Sequence, residues 1–390
     1  MATVNLGAAA WRLTPTERFV LGQAIADTLA GLGRLDAVNL LIDGRSFGLD
    51  EEGNIPVGCF VPDAADDPTY QLSRLIAQRA SLSGGETRFR ANTAIYYPSR
   101  AGHGIIGERR TIAYESLQTE DITQTLLEAM SGPPETIQGS AEMPDLVKFL
   151  LKTPEVTRNV QNEQTITLTF SENLNEELSQ RGVLRSVFAA AIVTTLTSFL
   201  PDTSVCRIVV GEEAISGMVP VGIYVGRNET LTFENGEMHW RDFCYFQLTK
   251  CDLFFVDDQE RLTRSSRYLP SAWADSPYRL LSQLFEGPSY YDFRENLSSS
   301  LPVYLTEEDI LDIGRDGDRL YVNLSGGFQG ACSNYDSRQE QNVIFAIVNT
   351  LTNIPNCRRV QFFIEGESVE TLSGSMSLTG WFMRNPDYRP

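Results

Sequence analysis

Apolar positions in the last third of the chain follow strand-like and helix-like spacings in turn. Residues 251–256 (CDLFFV) form an apolar run that ends at two aspartates, which predicts a strand and a turn, and residues 261–270 follow as a second strand. Residues 276–285 have helical spacing, with Pro277 in the tolerated first turn and Gly287-Pro288 as the stop. The pattern therefore predicts a β-hairpin followed by a short helix.

A second hairpin and a second helix are predicted downstream. Residues 310–313 and 320–324 flank the sequence RDGD at 315–318, which is typical of a turn that contains glycine. The stripe Ile344, Ile347, Val348 and Leu351 predicts a helix. Residues 337–340 (SRQE) predict its capping box, in which Ser337 accepts from the amide three residues on and Glu340 reaches back. Strands at 360–364 and 378–383 complete the order β-β-α-β-β-α-β-β.

The same pattern occurs more than once. Residues 191–197 (AIVTTLT) recur as residues 346–352 (AIVNTLT), and Gly132-Pro133 recurs as Gly287-Pro288 at the same offset of 155 residues. A partial third copy begins the chain, since residues 24–29 match residues 346–351 without gaps through Val38/Val360 to Gly44/Gly366. Residues 4–6 (VNL) match residues 322–324, residues 14–17 (TPTE) repeat the capping box, and a closing strand is predicted at 57–61, 221–225 and 379–383.

These matches predict an α+β fold of tandem repeated modules, each a mostly antiparallel or mixed sheet packed by two helices. We expect a partial module at 1–64, a connecting segment at 65–88, a module at 89–228, a connecting hairpin at 229–246 that turns at Asn235-Gly236, and a module at 247–390. The first copy lacks everything before its VNL strand. This absence favours a segment missing upstream, which is also where a signal peptide would belong.

Composition and charge narrow the function classes. The 32 basic and 51 acidic residues give a formal net charge of −19, which disfavours nucleic acids and anionic lipid headgroups as partners. No apolar stretch is long enough to span a bilayer, and the N-terminus has no recognisable signal sequence. The six cysteines contain no C-x-x-C pair, so buried free thiols are favoured, although disulfides in an exported protein stay open.

Candidate chemical motifs have structural explanations that we favour. Residues 102–107 (GHGIIG) fit a dinucleotide fingerprint, but a strand is predicted after them instead of a helix, so we expect a hairpin loop. His103 and His239 stand in no catalytic or metal-binding context, and Asp312, Asp316 and Asp318 lack the spacing of a calcium loop. No hydrolase, nucleotide-binding or paired-acid signature is present. We therefore expect no enzyme activity, no cofactor and no metal.

Aromatic residues fall into two groups. Those in the strand runs are expected in the core: Tyr96, Tyr97, Phe254, Phe255 and Trp381. Trp273, Tyr290 and Tyr291 lie in predicted loops and are the candidate partner-binding residues, because exposed aromatic side chains often anchor protein interfaces.

The motifs together resemble the GerM-type (GerMN) domain of sporulation and spore-germination proteins. The last copy supplies an aromatic first strand at 253–256, Arg267 on the second strand, Leu281, Leu284 and Gly287-Pro288 at the helix end, residues 322–325 (VNLS), residues 347–351 (IVNTL) and Gly366. The middle copy supplies residues 95–97 (IYY), Arg110, Leu126-Leu127, Gly132-Pro133 and residues 192–196 (IVTTL). The two full modules and the partial one cover most of the chain.

The resemblance implies a non-enzymatic protein that is exported and anchored to the membrane as a lipoprotein, with a fold similar to ring-building domains. We therefore expect a structural or adaptor protein of the cell envelope that binds envelope or sporulation proteins, or itself, through strand edges and loops. The alternative is a module that binds peptidoglycan through Trp273 and Tyr290. An enzyme acting on wall polymers would need a pair of carboxylates in one cleft.

Overall fold

The protein is a mixed α+β structure that divides into two compact units, residues 1–248 and 249–390. The computed structural model describes residues 1–31, 35–49, 55–63, 72, 75–76, 89–100, 104–135, 140–201, 203–218 and 230–385. The α+β fold expected from the sequence is confirmed. The predicted closing strand at 221–225, His103 and most of the connecting segment 65–88 lie outside the described residues.

The partial first module forms a small sheet with one helix. β1 (Ala2–Leu6) pairs in parallel with β2 (Val38–Ile42), which pairs antiparallel with β3 (Cys59–Phe60). α1 (Pro15–Ala30) connects β1 to β2, and its predicted capping box is confirmed, since Thr14 and Glu17 exchange hydrogen bonds. Alternate residues of β2 face α1 in a core of their own.

The second copy supplies the rest of the first unit. β4 (Phe89–Pro98) and β5 (Ile105–Tyr114) form an antiparallel hairpin, followed by α2 (Thr119–Met130) and α3 (Leu146–Phe149). β6 (Glu155–Arg158), β7 (Gln164–Phe170) and β8 (Thr203–Val210) form a sheet, with α4 (Asn173–Gln180) and α5 (Arg185–Phe199) between β7 and β8. The remaining short strands are β9 (Glu213–Ala214), β10 (Gly217–Met218), β11 (Leu231–Thr232) and β12 (Met238–His239), and α6 (Trp240–Phe243) follows.

The second unit repeats this plan. β13 (Leu248–Val256) and β14 (Leu262–Pro270) pair, and α7 (Ser271–Ala274), α8 (Pro277–Phe285) and α9 (Tyr290–Arg294) follow. β15 (Ile310–Asp316) and β16 (Arg319–Leu324) form the predicted hairpin, whose turn contains Gly317 at φ +59°. After α10 (Gly326–Cys332) and α11 (Ser337–Leu351), β17 (Arg359–Ile364) joins β16 in parallel. The predicted stripe on α11 lies in the core.

Matching hydrogen bonds show that the three copies share one local structure. The amide of Asp43 donates to Leu6, that of Gly211 to Phe170 and that of Glu365 to Leu324, each at the same place after the second parallel strand. The side chain of Asn5 accepts from Gly44 N at 2.9 Å, and Asn323 accepts from Gly366 N at 2.7 Å. Val38 lies opposite Phe60 and Val360 opposite Phe382, again at equal spacing. The repeat therefore extends to strand register.

α5 is the central helix of the first unit. Every residue of α5 after Arg185 is buried, and β2, β4 and β8 all pack against the helix. A helix covered on all sides needs no polar face, which explains why its sequence is apolar or small throughout. Among the described residues no single helix is long and apolar enough to cross a membrane; α4 and α5 together pass on length and composition alone, but they meet at 103°.

Three sequence predictions are wrong in detail. Asp336, not Ser337, caps α11, and its box partner is Gln339, which leaves Glu340 free for a distant contact. The predicted hairpin between β11 and β12 does not form, because β11 pairs with β10 and β12 pairs with β8. Asn235-Gly236 is still a turn, but the two strands that it connects do not pair with each other. The predicted strand at 378–383 is reduced to the bridge between Val360 and Phe382.

Candidate functional site

The most exposed aromatic cluster of the second unit lies on α9. Tyr290, Tyr291 and Phe293 are 71%, 67% and 60% exposed. The rings of Tyr290 and Tyr291 meet edge to face, with centroids 5.8 Å apart. These three residues, the α9 aromatics, are therefore displayed on a short helix and not on the loop that the sequence predicted. Large apolar side chains held in water in this way are typical of interaction sites.

A buried carboxylate fixes α9 in place. Asp292 is 5% exposed and accepts hydrogen bonds from Ser289 N at 2.6 Å and Ser289 Oγ at 2.7 Å, which closes a capping box. Ser265 on β14 also donates to Asp292. Burial alone would raise the pKa of Asp292, but the hydrogen bonds from Ser265, Ser289 and Arg267 outweigh it and lower the pKa. Asp292 therefore stays ionised at neutral pH and ties α9 to the hairpin.

Arg267 is the cation that balances Asp292. Its Nη2 lies 2.5 Å from Asp292 Oδ2 and 2.8 Å from the carbonyl of Gly287, and its guanidinium lies 5.1 Å from the ring centre of Phe255. The guanidinium thus joins β14, the end of α8 and α9. The planar fork of arginine suits such a three-way contact better than lysine does.

The first unit contains an arginine with equivalent contacts. Arg110 on β5 donates to the carbonyls of Ala129 at 2.6 Å and Pro133 at 3.1 Å, and its guanidinium lies 5.5 Å from the ring centre of Tyr97. The two basic residues quoted for the family resemblance therefore have equivalent positions. Both link the hairpin to the Gly-Pro turn that follows a helix.

Trp273 lies before the start of α8, whereas the α9 aromatics follow its end. It lies on α7, half-buried, with the guanidinium of Arg279 5.3 Å from its ring centre. The nine residues of α8 separate α7 from α9 and rise about 13 Å. In the described part of the chain the ring of Trp273 meets neither Tyr290 nor Tyr291, so the structure brings the two tyrosines together and leaves Trp273 apart.

Sequence reasoning missed several exposed side chains. Phe293 was not singled out, although it lies one turn from Tyr290, and Tyr304 is 68% exposed on the loop after α9. The Ser289–Asp292 capping box was the available sequence signal for α9. Trp381 is 36% exposed, so its expected place in the core is wrong, whereas Tyr96, Tyr97, Phe254 and Phe255 are buried as expected.

A cluster of titratable groups in the first unit surrounds His239. His239 Nε2 lies 3.4 Å from Glu163 Oε2, beside a polar cavity of about 210 Å³ that Arg45, Arg241 and Asp43 also line. The hydrogen bond with Asp242 raises the pKa of His239, and Glu163 adds to this against the effect of burial. His239 is therefore a half-buried member of an ion pair with Glu163.

The other candidate motifs have structural roles. β5 begins at Ile105, inside the glycine motif, so residues 105–107 belong to a hairpin strand and not to the loop that the sequence predicted there. Asp316 and Asp318 flank the tight turn at Gly317. Among the described residues no group of His, Cys, Asp and Glu side chains is arranged to hold a metal ion.

The cysteines are unpaired thiols, and burial controls their chemistry. Five of the six are buried, and Cys244 is partly exposed. Burial raises the pKa of Cys59, Cys206, Cys251 and Cys332 to about 12. Since the thiolate is the nucleophile, these four groups are inert at neutral pH.

One family model matches part of the chain. Residues 252–370 match the Germane family, described as sporulation and spore germination. No curated protein sequence matches the chain significantly.

Three solved structures are similar to parts of the chain. The tandem GerMN domains of the sporulation protein GerM from Bacillus subtilis share 13% identity over 76% of this chain and 98% of theirs, with a TM-score of 0.28. The first GerMN domain of that protein shares 17% over 36% of this chain and 99% of its own, with a TM-score of 0.30. A Clostridium perfringens protein provisionally described as a lipoprotein shares 21% over 35% of this chain and 87% of its own, with a TM-score of 0.25.

Proposed function

We propose, from the premise that residues 252–370 belong to the GerM-type family of sporulation and germination domains, that this chain is a non-enzymatic adaptor of the bacterial cell envelope. It acts by docking other envelope or sporulation proteins onto tandem modules. It is exported and works at the membrane or on the wall side of the envelope. The family match supports the setting in sporulation or germination, and the adaptor role rests on the surface described above.

The α9 aromatics carry this proposal. Water does not favour three large apolar side chains on five residues of helix, so their display needs another explanation. Their helix is anchored by Asp292 and Arg267, so a partner does not have to order the surface when it binds. Rigid tyrosine side chains on a fixed helix are the composition found at protein-binding hot spots.

Affinity capture from sporulating cells tests the proposal. The tagged full-length chain is incubated with the solubilised envelope fraction, and bound proteins are quantified by mass spectrometry. We expect a specific envelope partner whose recovery falls at least tenfold with Tyr290→Ala plus Tyr291→Ala. Tyr304→Ala is the matched control, because Tyr304 is equally exposed in the same unit but lies outside α9. Equal recovery with all three proteins would remove the α9 aromatics from the function.

Peptidoglycan binding is the second candidate, and Trp273 supports it. A tryptophan ring flanked by an arginine can stack on a sugar ring while the guanidinium bonds its hydroxyls. Co-sedimentation with purified peptidoglycan distinguishes the two functions. Loss of sedimentation on Trp273→Ala, with Tyr290→Ala unaffected, is expected only if the wall polymer is the ligand. A chain that stays in solution excludes this candidate.

A further inference from the structure

The polar cavity beside His239 lies at a turn that recurs in every copy of the repeat. After the second parallel strand the chain turns back and bridges to the last residue of that strand. The residue that completes the bridge is Arg45, Glu213 and Glu367 in the three copies. Both glutamates are exposed, so an acidic side chain suits this turn. Arg45 reverses the charge, and the fold of the repeat does not require that reversal.

Arg45 is held in place by an aromatic ring and not by a carboxylate. It is half-buried, and its guanidinium lies 4.9 Å from the ring centre of Trp11. In the part of the chain that the structure describes, no carboxylate oxygen lies within 4.0 Å of this guanidinium. Because a ring contact uses the face of the guanidinium, its N–H groups stay available to an oxyanion. Arg45 is therefore a prepositioned oxyanion donor in the wall of the cavity.

The turn of the first copy is covered, unlike that of the last copy. A Cβ added to Gly44 would lie 3.1 Å from the indole ring of Trp240, whereas one added to the equivalent Gly366 would meet nothing within 4 Å. Trp240 lines the cavity, and its Nε1 is buried with no hydrogen-bond partner among the described residues. Since buried donors in proteins are normally paired, the lining contains a donor that the chain itself leaves unused.

The acidic side of the cavity is ordered by contacts within the protein. Glu163 Oε2 accepts a hydrogen bond from Asn159 Nδ2 at 3.2 Å and lies 3.4 Å from His239 Nε2. The backbone amide of His239 donates to Asp242 Oδ2 at 2.7 Å at the start of α6. Because these side chains already have fixed partners, a ligand does not have to order them when it binds.

Charge and volume define the class of ligand. Arg45, Arg241 and His239 supply three positive charges when His239 is protonated, below its raised pKa. Asp43 and Glu163 supply two negative charges. The single excess positive charge suits a monoanion better than a doubly charged phosphate. An apolar cavity of about 150 Å³ holds benzene, so this cavity of about 210 Å³ has room for a polar molecule of roughly six heavy atoms.

We propose that this cavity binds a small polar monocarboxylate, either an amino acid or a hydroxy acid. The ligand carboxylate accepts hydrogen bonds from the guanidinium of Arg45, whose planar fork can donate two parallel bonds. The ammonium or hydroxyl group of the ligand donates to Asp43. The cavity belongs to the first unit and the α9 aromatics belong to the second. Ligand binding therefore goes beyond the adaptor function and does not depend on it.

Isothermal titration calorimetry on the full-length chain at about pH 6 tests the proposal, with alanine, lactate and inorganic phosphate as probes. We expect saturable binding of alanine or lactate at one site per chain, and at least tenfold weaker binding of phosphate. Arg45→Glu introduces the side chain that the other two copies have at this turn, so we expect the variant to fold and to bind at least tenfold more weakly. Circular dichroism checks the fold.

Arg358→Glu is the matched control. Arg358 is exposed and lies outside the cavity, so the substitution makes the same change of net charge at a distant position of the chain and should leave binding unchanged. Asp43→Asn separates the two kinds of ligand. Asparagine tolerates the φ of +50° at this position, and we expect the variant to weaken alanine severalfold while lactate, which has no ammonium group, is nearly unaffected.

Four results would overturn the proposal. Neither alanine nor lactate binds saturably to the unaltered chain; phosphate binds as tightly as either; Arg45→Glu binds as tightly as the unaltered chain; or Arg358→Glu weakens binding as much as Arg45→Glu does. The variant with Tyr290→Ala and Tyr291→Ala separates this proposal from the adaptor function. It should bind the small ligand normally, and its failure in capture of envelope proteins would leave the cavity unaffected.

Discussion

Glu340 is a fully buried carboxylate that fastens the last loop of the second unit. Its Oε1 accepts from the amides of Leu372 and Ser373, both at 2.9 Å, and its Oε2 accepts from those of Ser375 and Met376 at 2.9 and 3.1 Å. We expect Glu340→Gln to lower the free energy of unfolding of this unit by about 2–5 kcal/mol, because an amide nitrogen would face two N–H donors. Urea unfolding measures the change. Glu367→Gln, at an exposed position, should change it little.

The same carboxylate predicts a dependence of stability on pH. Burial would raise the pKa of Glu340, but the backbone amides outweigh it, and the pKa in the folded protein is lowered. A lowered pKa means that the stabilisation is complete above the pKa of the unfolded chain and is lost as pH falls through the folded value. Glu340→Gln should therefore lower stability at pH 7 and flatten its decline between about pH 5 and 3. Parallel acid profiles of the two proteins would contradict this role.

Arg267 is expected to control the order of α9. In Arg267→Lys a single ammonium cannot reach both Asp292 and the carbonyl of Gly287 while covering Phe255. We expect a loss of about 1–2 kcal/mol in unfolding free energy and faster amide exchange in residues 290–294. Hydrogen exchange with mass spectrometry gives both readings. Arg264→Lys is the matched control on the same strand, since Arg264 is more exposed and lies 3.6 Å from Asp252. Similar exchange in both variants would show that α9 does not depend on Arg267.

At the scale of elements, a glycine substitution tests the left-handed turn that follows the second parallel strand of the last copy. Gly366 has φ +81° and Gly330, on α10, does not have a positive φ; a Cβ at either would meet open space. Gly366→Ala should therefore destabilise by about 1 kcal/mol through backbone conformation alone. Gly330→Ala should stabilise by about 0.5–1 kcal/mol, as alanine does within a helix. Thermal unfolding compares the two, and a stabilising Gly366→Ala would contradict the left-handed turn.

Local sequence signals predicted those elements whose partners lie nearby along the chain. The Thr14–Glu17 box, the Gly317 turn and the stripe on α11 depend on residues within one or two turns, and all formed. Glu340 was misassigned to a local cap because its amide partners are more than 30 residues away. Asn235 and Gly236 adopt the left-handed conformations of a turn, yet the sequence could not show that β11 and β12 pair with other strands.

The candidate site was predicted only in part, because it too depends on contacts between residues that are far apart in the chain. Tyr290 and Tyr291 were found because aromatic pairs outside the predicted strands stand out in the sequence. Trp381 was wrongly expected in the core. Strand alternation puts the side chains of Trp381 and Phe382 on opposite faces, and which of the two faces is covered depends on distant helices. Periodicity gives the two faces of a strand but not the identity of the solvated one.

At the scale of the whole molecule, the close approach of the partial module to the β4–β5 hairpin decides whether the first unit unfolds as one body. Gly58 has φ +74°, and a Cβ there would lie 2.0 Å from the backbone oxygen of Asn92 on β4. Gly58→Ala must therefore separate β3 from β4, in addition to straining the backbone. We expect a loss of more than about 2 kcal/mol and early hydrogen exchange confined to residues 1–60.

Gly182 supplies the control that isolates this contact. It lies in the same unit at φ +67°, but a Cβ there would meet nothing within 4 Å. Gly182→Ala should therefore show only the backbone cost of about 1 kcal/mol and leave exchange in β1–β3 unchanged. If the two variants behave alike, the sheet and the hairpin are not in rigid contact. If only Gly58→Ala releases the partial module, the close approach of β3 to β4 is what fastens that module to the rest of the first unit.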